Sequence, residues 1–338
     1  MTNEYVEKFS YRKYDGTREP RWRRIWSLAW FELVSTWHKS TVGKVLLIII
    51  LALNLLVITI TAAIFSADIS GMSDAERSEE IAAILHGMAA TYLEPAEFGD
   101  YNVVTSSQSS FSFELGFLII GLFAIAGSGF FADDRQGKVM EIYLSRMQRV
   151  EYVAGKVGAI ILYVNIFLTV PLLIMGGLYI QAFGADHFDY LYFYAGVILY
   201  GFLASLLIGL AILLLSSVVE KRMYASLGFY LLFILGTMFG QLIAQQDPSN
   251  EFLLLVSPAN FLELLGYVCL GDFELFITEW VGSGVGEEED IYRYTPFSLN
   301  DGKGLEWVHI LGATFALIII MFLFLVFQLR RLTTESLQ

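Results

Sequence analysis

Six stretches of the chain are almost purely apolar: residues 45–67, 111–132, 157–185, 190–219, 223–246 and 308–328. Five contain no Asp, Glu, Lys or Arg, and the second contains only Glu114, near one end. An α-helix rises ~1.5 Å per residue, so ~20 apolar residues cross the ~30 Å hydrocarbon core of a bilayer. Each stretch meets that length. A soluble core helix is seldom so long and so evenly apolar, and the pattern predicts an all-α membrane protein with six transmembrane helices.

The polar segments between these runs alternate in charge, and that alternation predicts an orientation. Loops rich in Lys and Arg resist translocation. With Met1 inside, the cytoplasmic pieces carry 18 of the 21 basic residues: nine before the first span, five in 133–156, then Lys221, Arg222, Arg330 and Arg331. Only Arg77, Arg293 and Lys303 fall outside. The expectation is therefore N-in and C-in. The division that follows is a cytoplasmic tail and interfacial elbow helix over 1–43, a six-span domain over 44–331, and a cytoplasmic tail over 332–338. The external segments are 68–109 and 246–306. The first forty-four residues are too charged for a cleavable signal peptide, so the first span is expected to be retained.

The formal net charge of −13 belongs to the predicted exterior, where 22 of the 34 acidic residues lie, including the run Glu287-Glu288-Glu289-Asp290. Two readings stand: a solvated acidic surface, or a vestibule that attracts cations. Cys269 is the single cysteine, which excludes an intrachain disulfide and a cysteine-based metal site.

Shorter signals fill in the rest. Pro20 suits the first turn of a helix, and Trp22, Trp26, Trp30 and Leu33 then recur at helical spacing, with Arg23 and Arg24 off that stripe. Such a helix lies in the membrane interface, with indoles at head-group depth and guanidiniums on phosphates. Trp22, Arg23, Arg24, Trp26 and Trp30 are the expected anchor. In 68–109, Ser73-x-x-Glu76 resembles a capping box ahead of an apolar face formed by Ile81, Ile84, Leu85 and Met88, with Pro95 as the stop. In 246–306, the apolar pieces 252–256, 261–270 and 273–281 are too short to span and read as re-entrant or external helices before the last span. Gly282-Ser283-Gly284-Val285-Gly286 is a break, and Trp280 and Trp307 mark the outer interface. Within the spans, Gly201-x-x-x-Ser205-x-x-x-Gly209 and Gly236-x-x-x-Gly240 are small faces suited to close helix contact, within the chain or between copies. Asn54 and Asn165 each need a hydrogen-bond partner in the bundle, and Pro171 predicts a kink in span three.

The segment 133–156, between spans two and three, is the longest cytoplasmic connection after the N-terminus. Val139, Ile142, Tyr143 and Met147 fall on one helical face with charges around them. A short amphipathic helix held at the membrane surface suits a groove on another protein, or else lies on lipid.

The order Asp133-Asp134, Gly137, Glu141, Leu144-Ser145-Arg146, Arg149, Tyr152 and Gly155-Lys156, leading into a span, resembles the signature of type-two ATP-binding-cassette exporter permeases. Ser257-Pro258-Ala259-Asn260-Phe261-Leu262 is similar to a Ser-Pro stretch that the same family carries before its last span. The resemblance covers residues 20–331 in layout and about thirty residues in motif. Met147 departs from it, standing where the family often has Pro. The resemblance implies a coupling helix that seats in a separate ATPase subunit, with Gly137, Val139, Glu141, Ile142, Tyr143, Arg146 and Arg149 as the docking residues. It further implies a partner that binds ATP and Mg, no cofactor in this chain, and a twelve-span core made of two copies or of this chain and a related permease. The place implied is the cell (plasma) membrane.

The remaining motifs agree with a driven rather than a driving subunit. Gly43-Lys44, Gly137-Lys138, Gly155-Lys156 and Gly302-Lys303 all lack the first glycine of a P-loop, its following hydroxyl, or both. Intramembrane catalysis has little to build on: His38, His86, His187 and His309 lie apart, with no His-Glu-x-x-His. An ion channel or sodium extruder would want acids inside the spans, and only Glu114 comes near. The alternative that stands is a non-transporting membrane subunit that passes ATPase motion to an extracytoplasmic partner through 246–306.

Overall fold

The structure is a computed structural model, and it describes residues 20–68, 81, 85, 106–137, 139–182, 184–219, 221–246, 251–270 and 307–335. Among these residues it is almost entirely helical and has no strand. The helices are α1 (Arg21–Lys39), α2 (Thr41–Asp68), α3 (Ser106–Gln136), α4 (Val139–Arg146), α5 (Arg149–Phe167), α6 (Thr169–Ala182), α7 (Leu191–Val218), α8 (Arg222–Gln246), α9 (Pro258–Leu270) and α10 (Trp307–Glu335). Short 3₁₀ helices occupy His187–Tyr190 and Glu251–Val256. The capping box at Ser73, the Pro95 stop, the stretch 273–281 with Trp280, the glycine-rich break and the acidic run all lie outside the described residues. Of the first outer segment, Ile81 and Leu85 are described; both are helical and buried.

Each of the six apolar runs falls largely on a helix. Four spans among the described residues are long and apolar enough to cross a bilayer, Arg149–Ala182, His187–Val218, Arg222–Gly240 and Trp307–Gln328. A fifth exists if α1 and the start of α2 count as one broken span, but the two are bent by 84°. The break is at Ser40, whose hydroxyl accepts a hydrogen bond from Gly43 N at 3.0 Å and so restarts the helix in a new direction.

α7 is the centre of the bundle and packs against α3, α5, α6, α8, α9 and α10. Its buried face includes Tyr200, Gly201, Ala204, Ser205, Ile208 and Gly209. Both small-residue faces are spent inside the chain. A Cβ on Gly201 would collide with Thr169 Oγ1, and one on Gly209 would lie 2.7 Å from Ile160 Cγ2. Gly236 faces Pro258, and Gly240 faces the backbone of Ser257. Asn165 Nδ2 donates to Ser205 Oγ at 3.0 Å and Thr169 Oγ1 donates to Asn165 Oδ1, so this amide joins span three to α7.

Span three breaks at Leu168, between α5 and α6, rather than at Pro171 itself. Pro171 has no N–H to offer the carbonyl four residues back, Phe167, and the helix opens just after that residue. The turn after α6 closes on Gly184 at φ 69, a left-handed conformation that glycine adopts without a Cβ clash.

α9 does not sit on top of the bundle. Ser257 lies beside Gly240 of α8, and Leu270 lies beside Gly196 of α7, five residues into that helix. The short helix is therefore wedged between α7 and α8 below their ends. Ser257 Oγ accepts from Asn260 N at 3.3 Å, and Pro258 takes the first helical position, so the Ser-Pro pair is the start signal of this helix. The outward faces of α2, α8 and α10 are crowded with exposed Leu, Ile and Phe. Water would penalise such a surface, and a bilayer solvates it.

Candidate functional site

One end of the bundle gathers α1, the end of α3, α4, the head of α5 and the link from α7 to α8. Its centre is Lys156 on α5, which is fully buried. Its Nζ lies 2.7 Å from Glu32 Oε1 of α1 and 2.6 Å from Asp134 Oδ2 of α3. Tyr152 OH donates to the same Asp134 oxygen at 2.5 Å. The rings of Tyr152, Tyr143 and Phe130 surround the cation at 5.4, 5.8 and 6.0 Å. A buried charge must be paired and hydrogen-bonded to persist, and here one ammonium serves two carboxylates. Burial, and then the negative field of Glu32 and Asp134, push the Tyr143 phenol above its ordinary range.

A second pairing lies one turn away. Glu151 Oε1 accepts from Arg24 Nη2 at 3.1 Å and has Arg21 Nε at 3.6 Å. Its other oxygen accepts from Gln148 N at 3.2 Å and completes a capping box at the start of α5. Alongside the two pairs, Gly155 and Gly158 leave room for Leu28 and Ala29 of α1. The two helices thus meet along a pair of glycines flanked by the ion pairs Arg24–Glu151 and Glu32–Lys156.

The opposite flank is closed by backbone contacts. Arg135 Nη1 donates to Ser217 O at 2.9 Å. Ser216 Oγ donates to Ser128 O at 2.6 Å and accepts from Ala132 N at 3.2 Å. Arg222 donates to Ile125 O from Nη2 at 2.9 Å and Nε at 3.1 Å.

The expected docking residues divide between two faces of α4 and its flanks. Val139 and Ile142 are exposed, Ile142 at 58 %, and exposed Val150 and Arg149 follow at the start of α5. Tyr143 instead turns inward and packs against Tyr152, with ring centroids 5.8 Å apart and the planes tilted by 33°. Met147 also packs against the core, and Met140 is buried there. The four residues expected on one face therefore split, because the inward side of so short a helix must also be filled. Gly137 sits in the turn between α3 and α4, its N–H donating to Asp133 O at 2.9 Å. The side chains of Glu141 and Arg146 lie outside the described residues.

On α1, Trp22, Trp26 and Trp30 are exposed along one face, with the Trp26 and Trp30 rings stacked. Arg23 is exposed and lies over the Trp22 ring at 5.7 Å. Leu33 leaves that stripe for the packed face, since it shares a side with Ala29 four residues earlier. Arg24 is engaged by Glu151 rather than free for phosphate. The sequence pattern does not single out Glu32 or Glu151. The signal was present for Glu151, three residues after Gln148 in a capping position. For Glu32 it was a lone acid beside the buried Leu28, Ala29 and Leu33.

An apolar-coated helical bundle of this kind, closed at one end by a clamp of paired charges and presenting a short helix outward, is a polytopic membrane subunit. A family model described as ABC-2 family transporter protein matches residues 33–280, and the chain belongs to that family. It is a membrane permease of an ATP-binding-cassette transporter, and the family implies a bilayer and an ATP-binding-cassette partner. No curated protein and no solved structure matched the chain in comparison.

Proposed function

We propose that this chain is the six-span permease subunit of an exporter, with both termini cytoplasmic, worked by a separate ATPase that docks on α4. The observation that carries the reading is the pose of α4. Its inward side is fixed by Met140 and Tyr143, and Val139 and Ile142 are left exposed beside Val150 at the basic end of the bundle. An apolar pair on a short helix packed on the bundle end fits a groove on a partner. ATP and magnesium belong to that partner, whose closure displaces α4 and switches the spans between two arrangements. The remaining helices form the core with a second permease, a copy of this chain or a relative, in the cell membrane.

The test is affinity purification of the tagged full chain from its own membranes. The wild type should carry a subunit with a P-loop and vanadate-sensitive ATP hydrolysis. Ile142→Asp places a charge at the centre of the apolar pair without touching the inward face, and should lose both. Full retention of ATPase activity by Ile142→Asp in a folded chain would overturn docking at α4.

A further inference from the structure

The buried cluster asks for an explanation that stability does not supply. Replacing a buried ion pair by apolar groups of similar volume is often neutral or stabilising, whereas the best-attested use of such groups is to fix register. Lys156 takes its two carboxylates from two other elements, Glu32 on α1 and Asp134 on α3. Its remaining side is closed by Phe130, Tyr143 and Tyr152, and of these only Tyr143 belongs to α4. α4 has eight residues, too few to hold a helix unaided. Its pose is therefore set by what its inward side chains meet. Met140, Leu144 and Met147 meet apolar groups, which tolerate sliding; Tyr143 meets a charge fixed at two points.

We propose that Lys156 is the positioning residue of the α4 surface: it holds Tyr143 over its ammonium and, through Glu32, ties the pose of α4 to the elbow helix α1. A tilt of α4 then disturbs a buried cation, so α4, the head of α5 and α1 move together. The consequence for coupling rests on the proposed docking at α4, but the geometry is a property of this chain alone and is tested without a partner.

Lys156→Met alone would leave two carboxylates facing each other in a closed pocket and would disrupt this end of the bundle. The informative variant is the neutral triple, Glu32→Gln, Asp134→Asn and Lys156→Met, which keeps the side-chain sizes and strands no charge. A second variant, Tyr143→Leu, removes the ring and no charge, and Tyr143→Phe keeps the ring. Two readouts are taken on the full chain in lipid nanodiscs. One is hydrogen exchange over 139–147. The other is the distance distribution between spin labels at Phe31→Cys and Ile142→Cys in a Cys269→Ser background. The triple and Tyr143→Leu should exchange about tenfold faster in that segment while α7 stays protected. Both should also broaden the label distribution roughly twofold, and Tyr143→Phe should match the wild type. Wild-type exchange and distances in Tyr143→Leu, or in a folded triple, would overturn the proposal. If the triple does not fold, Tyr143→Leu decides alone. Because Ile142→Asp tests docking through ATPase co-purification, either idea can fail while the other stands.

Discussion

Gly129 of α3 leaves open the path by which Arg222 of α8 reaches the backbone of another helix. A Cβ on Gly129 would lie 3.3 Å from Arg222 Cζ and 3.0 Å from Asp133 Oδ2. In its absence the guanidinium makes its two bonds to Ile125 O and stands 3.6 Å from Asp133. Charge-assisted bonds of this kind are stronger than neutral ones, but the side chain here is partly exposed, so roughly 1–2 kcal/mol is at stake. Arg222→Met should lower stability by that amount. Gly129→Val should give a comparable loss by displacing the guanidinium, and the double variant should cost little more than either single one. Thermal unfolding of the detergent-solubilised chain checks this, and full additivity would show that the two residues act independently.

The wedge of α9 yields a paired prediction. At Gly240 a Cβ would lie 2.5–2.7 Å from the backbone and Cβ of Ser257, which has no flexible end to give way. Gly240→Ala should therefore push the start of α9 outward and cost about 1–3 kcal/mol, as overpacking does. Gly312 on α10 has nothing within 4 Å, so Gly312→Ala should be neutral or should stabilise by up to about 1 kcal/mol through helix propensity. Unfolding midpoints measured side by side separate the two outcomes; equal effects would contradict the wedge.

The polar knot in the bundle makes a third case. Asn165→Leu removes the donor to Ser205 and the acceptor for Thr169, at a cost of roughly 0.6–1.7 kcal/mol by analogy with other membrane bundles. Gly201→Ala should be worse, because its methyl would occupy the space of Thr169 Oγ1. Combining Gly201→Ala with Thr169→Ala should recover part of that loss, and the same melting measurement would register a failure to do so.

What was legible beforehand follows from range. The apolar runs, the aromatic face of α1, the short apolar piece 261–270 inside α9 and the helix at α4 are local patterns of length and period, and local patterns survive in a linear reading. Glu32 and Lys156 stand 124 positions apart, and nothing in either neighbourhood announces the other. The charge count that orients the chain treats Lys156 as one more inward cation, although its side chain is enclosed by the bundle. The two small-residue faces were legible as contact surfaces but not as contacts. Only packing reveals that Gly209 receives Ile160 and that Gly240 receives Ser257. For α4 the period was readable but its phase was not, because Tyr143 faces inward to meet Tyr152 and Lys156 from a different helix.

The orientation inferred from the distribution of basic residues is open to a direct chemical test, because the chain has one native cysteine. In a Cys269→Ser background, Ile142→Cys would stand at the end of the bundle that holds α4, and Phe188→Cys at the opposite end, in the turn before α7. The native side chains are 58 % and 77 % exposed, so both thiols would be open to a reagent on their own side. A charged maleimide crosses a bilayer poorly, for the same reason that a charged side chain at the membrane centre is costly. Applied to intact cells it should label Phe188→Cys and spare Ile142→Cys, and inverted vesicles should reverse the pattern. Labelling of Ile142→Cys from outside intact cells would place α4 on the wrong side for a cytoplasmic ATPase. It would remove the docking reading together with the inferred orientation.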